Sequence, residues 1–316
     1  MKTSAVSGHA TIPHQWVREK PALKLLKSIQ GPLIGLILLC IGFSLSSEYF
    51  FTSRNLLNVL DQITVLGIVA IGMTAVIIIG GIDLSVGSVL ALSMMMMGFL
   101  ERSIGMPLWM AVILGLLTGA LCGFISGALV IWARLPAFIA TLAMMSVARG
   151  VANLLTDGRQ IVGYPDWFTN LSTDRMFGVL SMTMLMFIVL TIIAGIYLRF
   201  RASGRNLYAI GGSAEVARLS GISVNKMTIA VYVVSGLLAT IAGMTLAARL
   251  DSSQPSAGVS LELDTIAAVV IGGASLVGGV GSISGTIVGV LIIGVLRNGL
   301  NLLGVSPFFK WSSSVL

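Results

Sequence analysis

The stretch GGIDLSVGS, residues 80–88, interrupts a long apolar run with Gly80, Gly81 and an acidic Asp83. A carboxylate turned to lipid at a helix centre costs roughly 2.5–3.5 kcal/mol, so this one needs a reason. Two chemistries fit these residue types. Asp83 can carry a coupling ion or proton, as carboxylates buried at mid-membrane do in carriers. Alternatively, Gly80 and Gly81 loosen the backbone at a helix break, and Asp83 or Ser85 caps the helix that continues through Gly87. The flanking glycines at the end of an apolar span place Asp83 near the inner membrane surface on this reading.

Other reactive constellations are missing. The chain has no GxxxxGK[ST] phosphate loop, so it does not hydrolyse nucleotide by that route itself, and it has no HExxH and no GxSxG in a strand–turn–helix setting. Both histidines, His9 and His14, lie in the polar N-terminal tail, and Cys40 and Cys122 sit singly inside apolar runs as small core residues. No cofactor or metal is expected. Within the apolar spans the ionisable residues reduce to Asp83, Arg149 and Arg297, too few for a voltage sensor or a charged ion path. Uncharged polar residues remain, among them Thr74, Ser88, Asn153, Ser275 and Asn298. Together they could line a path for a neutral, hydroxyl-rich solute; singly, each also serves as an interhelical hydrogen bond.

The elements that must position these residues follow from composition. The 316 residues are 56% hydrophobic and 10% charged, with mean hydropathy +1.00. A soluble domain carries about 25% charged residues, so this chain cannot cover a water-facing surface. Apolar runs of about 20 residues recur without ten-residue alternation, which predicts an all-α polytopic transmembrane bundle rather than a barrel. About nine spans are expected, near 32–47, 61–80, 86–100, 109–132, 137–155, 179–198, 228–248, 265–280 and 283–303. The third and eighth are short or glycine-rich enough to be re-entrant or broken. The net charge of +7 does not indicate nucleic acid, because the basic residues cluster at the ends of runs. With the N-terminus inside, the inner segments hold eleven Lys and Arg against six outside, as the positive-inside rule demands.

Under this topology residues 1–31 form a basic cytoplasmic tail, and 32–309 the membrane domain. The outer loop 156–178 carries Tyr164, Trp167 and Phe168, which either anchor at the interface or form part of a docking surface. The inner loop 199–227 is longer than a simple connection requires. It contains SAEVARLSGI, a short helix with Ser213 as N-cap, Glu215 in the first turn, Arg218 in the last and Gly221 at its end. Such a knob suits a soluble partner or an anionic lipid surface. Finally, AVIIIGGIDLSVGSVLAL (75–92) weakly resembles AVVIGGASLVGGVGSISG (268–285), each placing a glycine pair and a small-residue turn between apolar runs.

Three long motifs, IGMTAVIIIGGIDLSVGSVLAL (71–92), GRNLYAIGGSAEVARLSGISV (204–224) and AAVVIGGASLVGGVGSISGTIVGVLIIGVLRNGLNLLGVSPFF (267–309), resemble the permease subunits of bacterial monosaccharide ABC importers of the ribose/xylose/arabinose type, autoinducer-2 importers included. The likeness is colinear from about residue 50 to 309. It implies a multi-pass protein of the bacterial inner membrane, paired with a second permease copy or close paralogue, a cytoplasmic ATP-binding-cassette ATPase and a periplasmic sugar-binding protein. Residues 204–221 then correspond to the ATPase-coupling loop, with Gly204, Arg205, Asn206, Glu215, Ala217, Arg218 and Gly221 as its key positions. The break at Gly80–Gly87 would belong to the gate between permease halves, or serve capping alone. Family members continue past SPFF into a further apolar helix, whereas residues 310–316 read KWSSSVL. That departure keeps a shortened, inactive permease among the expectations, beside an ion-coupled secondary carrier working alone.

Overall fold

A computed structural model describes residues 21–304. The basic tail up to residue 20, the SPFF stretch and the 310–316 tail lie outside the described residues. Helix α1 spans Pro21–Ser46, α2 Ser53–Ile78, α3 Val86–Arg102, α4 Leu108–Ile131 and α5 Ala137–Leu154. The outer segment follows, with strand β1 (Ile161–Val162), α6 (Asp166–Thr173), β2 (Arg175–Met176) and β3 (Leu180–Ser181). Then come α7 (Met182–Phe200), α8 (Ala202–Gly212), α9 (Ala214–Leu219), α10 (Val224–Leu250), β4 (Ser252–Ser253), α11 (Leu261–Ile271) and α12 (Ile283–Leu302).

The expected count of about nine crossings is not supported among the described residues. Among the described residues six helices are long and apolar enough to span a bilayer: α2, α4, α5, α7, α10 and α12. At 1.5 Å per residue, α3 rises only about 25 Å and α11 about 16 Å, short of a hydrocarbon core of about 30 Å. The apolar run at 265–280 does not continue as one helix, because α11 stops at Ile271 and the chain turns at Gly272 and Gly273.

Helix α3 shows why an apolar run alone misleads. Its side chains Val86, Val89, Leu90, Met94, Met95 and Met97 are all buried to within 1%. A helix apolar all round belongs inside a bundle, and α3 packs against α4, α5 and α10. Around it, α2 has 89% of its apolar window buried inside the protein, whereas α7 has 22%. Thus α2 is central, and α7 leaves most of its surface uncovered by the rest of the described chain.

Glycine spacing sets the tightest helix pair. Gly115, Gly119, Gly123 and Gly127 recur every four residues on α4 and face α10. A Cβ on Gly123 would lie 2.2 Å from the Tyr232 carbonyl oxygen, and one on Gly119 would lie 2.5 Å from that of Gly236. Without side chains between them the two backbones touch, which is how helices associate where burial from water supplies no drive. Any larger residue at Gly123 would push the helices apart.

On the opposite face of the bundle from α8 and α9, β1 pairs antiparallel with β4. Tyr164 is buried there, its hydroxyl sharing a 2.6 Å hydrogen bond with Ser253 and its backbone N–H donating to Asp251 Oδ1 at 2.7 Å. Burial pushes its phenol up to about 12, so it stays neutral. Tyr164 is therefore a core residue that ties the outer loop to α10, not an interfacial anchor. Trp167, 54% exposed beside the buried Phe168, retains the exposure an anchor needs.

Candidate functional site

The break between α2 and α3 turns the chain back into the bundle. Gly80 takes a φ of +80°, open to glycine at no steric cost. Three residues on, Asp83 is 2% exposed. Its Oδ1 accepts from the Ser85 backbone N–H at 3.0 Å and from the Ser85 hydroxyl at 2.6 Å, while Oδ2 accepts from the Ser235 hydroxyl at 2.8 Å. The Thr141 hydroxyl adds a 3.2 Å bond to the Ile82 carbonyl.

Two expectations for Asp83 are revised by this geometry. Ser235 is the twelfth residue of α10, about 16 Å along that helix from its start, and it faces Gly72, well back from the end of α2. Asp83 therefore lies deep in the bundle rather than at its inner edge. Nor does Ser85 cap α3, which begins without a side-chain cap. The serine hydroxyl donates to Asp83 instead, and Gly87, at the start of α3, abuts the Gly258 carbonyl. A carboxylate can be accommodated here because three donors converge on it.

The inner loop is built as the sequence indicates. Ser213 caps α9 by accepting from the Val216 N–H at 3.3 Å, Glu215 and Arg218 form an exposed 2.8 Å ion pair, and Gly221 ends the turn at φ +83°. Ala217 is buried with Ile210 and Val224 in a small cluster that holds α8, α9 and the start of α10 together. Gly204 lets α8 fold back onto the end of α7, since a Cβ there would meet the Tyr197 carbonyl oxygen at 2.2 Å. Arg205 donates to the Phe200 carbonyl at 3.1 Å, and Asn206 is half-buried beside it.

Tertiary structure joins this loop to the break through residues the sequence did not single out. A Cβ on Gly211 would lie 1.8 Å from the Ile78 carbonyl oxygen and 2.4 Å from the Gly279 nitrogen. Gly279 donates its N–H to that same Ile78 carbonyl at 2.8 Å. A Cβ on Gly278 would meet Gly80 at 3.0 Å and the Gly211 carbonyl at 2.9 Å. Three segments thus touch backbone to backbone: the end of α2 with its break, the end of α8, and the turn between α11 and α12. The Tyr208 hydroxyl reinforces the contact by donating to the Gly281 carbonyl at 3.1 Å, and burial pushes its phenol up from the ordinary value. The only signal in the sequence was the repeated glycine pair, and that does not say which pairs meet.

The five residues expected to line a path are not brought together. Thr74 and Thr286 share a 2.7 Å hydroxyl bond between α2 and α12. Asn298 and Asn55 exchange side-chain hydrogen bonds at 2.8 and 2.9 Å between the same two helices. Ser88 is buried at the start of α3, and Asn153 is exposed on α5, donating to the Arg149 carbonyl. Ser275 lies in the α11–α12 turn, where its Oγ accepts from the Val277 N–H. None of the five lines the cavity beside the break or the one between α2, α7 and α10. Arg149, noted only as an ionisable residue, donates to the Ala257 carbonyl at 2.7 Å and so clamps the segment between β4 and α11. Among the described residues no group of three or more His, Cys, Asp or Glu side chains is placed to hold a metal ion.

Comparison with known proteins places this architecture. Residues 55–316 match the family model for the branched-chain amino acid transport system / permease component. The chain is 44% identical over 291 residues to the ribose import permease protein RbsC of Haemophilus influenzae, which covers 91% of this chain and 90% of that one. It is 44% identical over 317 aligned positions to the protein of the same name from Escherichia coli K12, covering 98% and 94%. The Bacillus subtilis counterpart is 46% identical over 289 residues, covering 89% and 87%.

Proposed function

The chain belongs to the branched-chain amino acid transport system / permease component family, and from that premise we propose that it is the membrane-spanning permease subunit of an ATP-driven monosaccharide importer. The resemblance to ribose import permeases along nine-tenths of both chains supports a monosaccharide or similar small polyol as the solute. The protein does no covalent chemistry; ATP is hydrolysed on a separate ATP-binding-cassette subunit. It lies in the bacterial inner membrane with its N-terminus in the cytoplasm, receives solute from a periplasmic binding protein, and works beside a second permease copy.

One observation carries the mechanism: the contact of Gly211 with Ile78 and Gly279. Helices α8 and α9 present Glu215, Arg218, Val216 and Leu219 outward, all exposed, to the ATPase. The inner side of the pair rests on the end of α2 and on the α11–α12 turn. Closure of the ATPase moves the pair, and because backbones touch with no side chains to absorb the shift, the displacement reaches Gly80 and the break. The permease then alternates between outward- and inward-open states, each stabilised by the partner that binds it better.

Reversing the exposed ion pair tests this reading. The double variant Glu215→Arg, Arg218→Glu keeps the pair within α9 but inverts the field that the ATPase meets. Reconstituted with its ATPase and binding protein, it should hydrolyse ATP without accumulating sugar. Uptake at the wild-type rate would refute the coupling role.

A further inference from the structure

A cavity of about 740 Å³ lies between the break, the α4–α5 turn and the α8–α9 pair. That volume is in the range of small-molecule sites, roughly 300–1,000 Å³. Ile79, Val130, Ile210 and Val224 supply apolar wall, while Asn225 and Thr228 supply an amide and a hydroxyl. Two guanidinium groups, Arg134 and Arg218, border it. Arg218 is engaged by Glu215, but the exposed Arg134 has no ion pair among the described residues. The cavity's charged groups therefore carry one uncompensated positive charge. Gly81 and Tyr232 also line the cavity.

We propose that this cavity binds a phosphate monoester of a small hydroxylated molecule. Guanidinium groups match phosphoryl oxygens in charge and geometry, which a neutral solute would not require. The phosphoryl group sits at Arg134 and Arg218, and the ligand's hydroxyls reach toward Asn225 and Thr228. A molecule there is wedged between Gly80–Gly81 and Ala214–Arg218, so it restrains the coupling pair against the break. The assignment rests on the proposed function only for the side of the membrane on which the cavity opens.

The test uses the full chain in phosphatidylcholine nanodiscs without its ATPase, so that transport plays no part in the result. Calorimetric titration with ribose 5-phosphate, ribose and inorganic phosphate should give saturable binding of the ester, with ribose at least about tenfold weaker. Arg134→Gln should weaken the ester about tenfold and Thr228→Val about threefold, both with an unchanged circular dichroism spectrum. A second arm adds phosphatidic acid, a lipid that is itself a phosphate monoester, to the nanodiscs. Competition with the ester in the wild type but not in Arg134→Gln would assign the phosphoryl group to a lipid headgroup, whereas no competition would assign it to the soluble ester. Absence of saturable binding by ribose 5-phosphate, or equal affinity in wild type and Arg134→Gln, would overturn the proposal.

Discussion

The two glycine breaks, 79–85 and 272–282, begin alike in sequence and end as opposites. The first is closed around a charge: Asp83 and Ser85 are at most 3% exposed, and three donors converge on the carboxylate. The second is open. Val277 is 88% exposed, with Leu276 and Val280 exposed beside it, and the break is held to the rest of the protein mainly through its backbone: Gly279 N–H to the Ile78 carbonyl at 2.8 Å, and the Tyr208 hydroxyl to the Gly281 carbonyl at 3.1 Å. A turn secured by buried, charge-assisted bonds resists movement. One secured by a few backbone contacts yields at lower cost. The molecule therefore has a stiff break beside the helix core and a compliant one beside the coupling pair, joined where Gly278 meets Gly80.

Substitutions can break this contrast in order of size. Asp83→Ala strands the Ser235 hydroxyl and the Ser85 donors in the bundle and should cost about 3 kcal/mol, given 1.5–3 for hydrogen bonds to a charged group. Thermal unfolding in detergent would register it, and a melting point equal to wild type would remove the stiff break from the argument. Gly211→Val places a side chain against the Ile78 carbonyl, so overpacking should cost about 2 kcal/mol. Its larger consequence is functional: sugar uptake falls while ATPase assembly, read by copurification, persists. Ser275→Ala removes one exposed hydrogen bond from the compliant turn and should change stability by under about 0.5 kcal/mol. Val277→Ser alters a side chain already at the surface and should leave the melting temperature unmoved; a large drop would show that this turn is covered in the working assembly.

Much of this architecture was readable along the chain. The Ser213 cap, the Glu215–Arg218 spacing and the Gly221 terminus are local signals, each read within one or two helical turns, and each stands where expected. The break at Gly80 is likewise local, since only glycine takes that backbone freely. Reading failed where an outcome depended on a neighbour. The runs at 86–100 and 265–280 count as spans by apolar content and are also short or glycine-rich enough to be re-entrant or broken, which is how they fold. Apolar content alone does not say whether lipid or protein surrounds a helix. Helix α3 is enclosed by α4, α5 and α10, which is why it can be short. Asp83 was placed near the inner edge for a related reason, as the depth of a turn depends on the helix it packs against.

Composition, run length and capping residues determined by themselves that this is a helical membrane protein with two glycine breaks and a punctuated inner loop, because those properties depend on contacts close in sequence. Tertiary structure alone decided that Ser235 meets Asp83 across 152 positions, that Asn55 pairs with Asn298 across 243, and that Gly211 seats on Ile78 and Gly279. The physical reason is that such pairings depend on how each helix is rotated and how closely it approaches its neighbour. Many small side-chain contacts set that arrangement jointly, and no single stretch of the chain contains it.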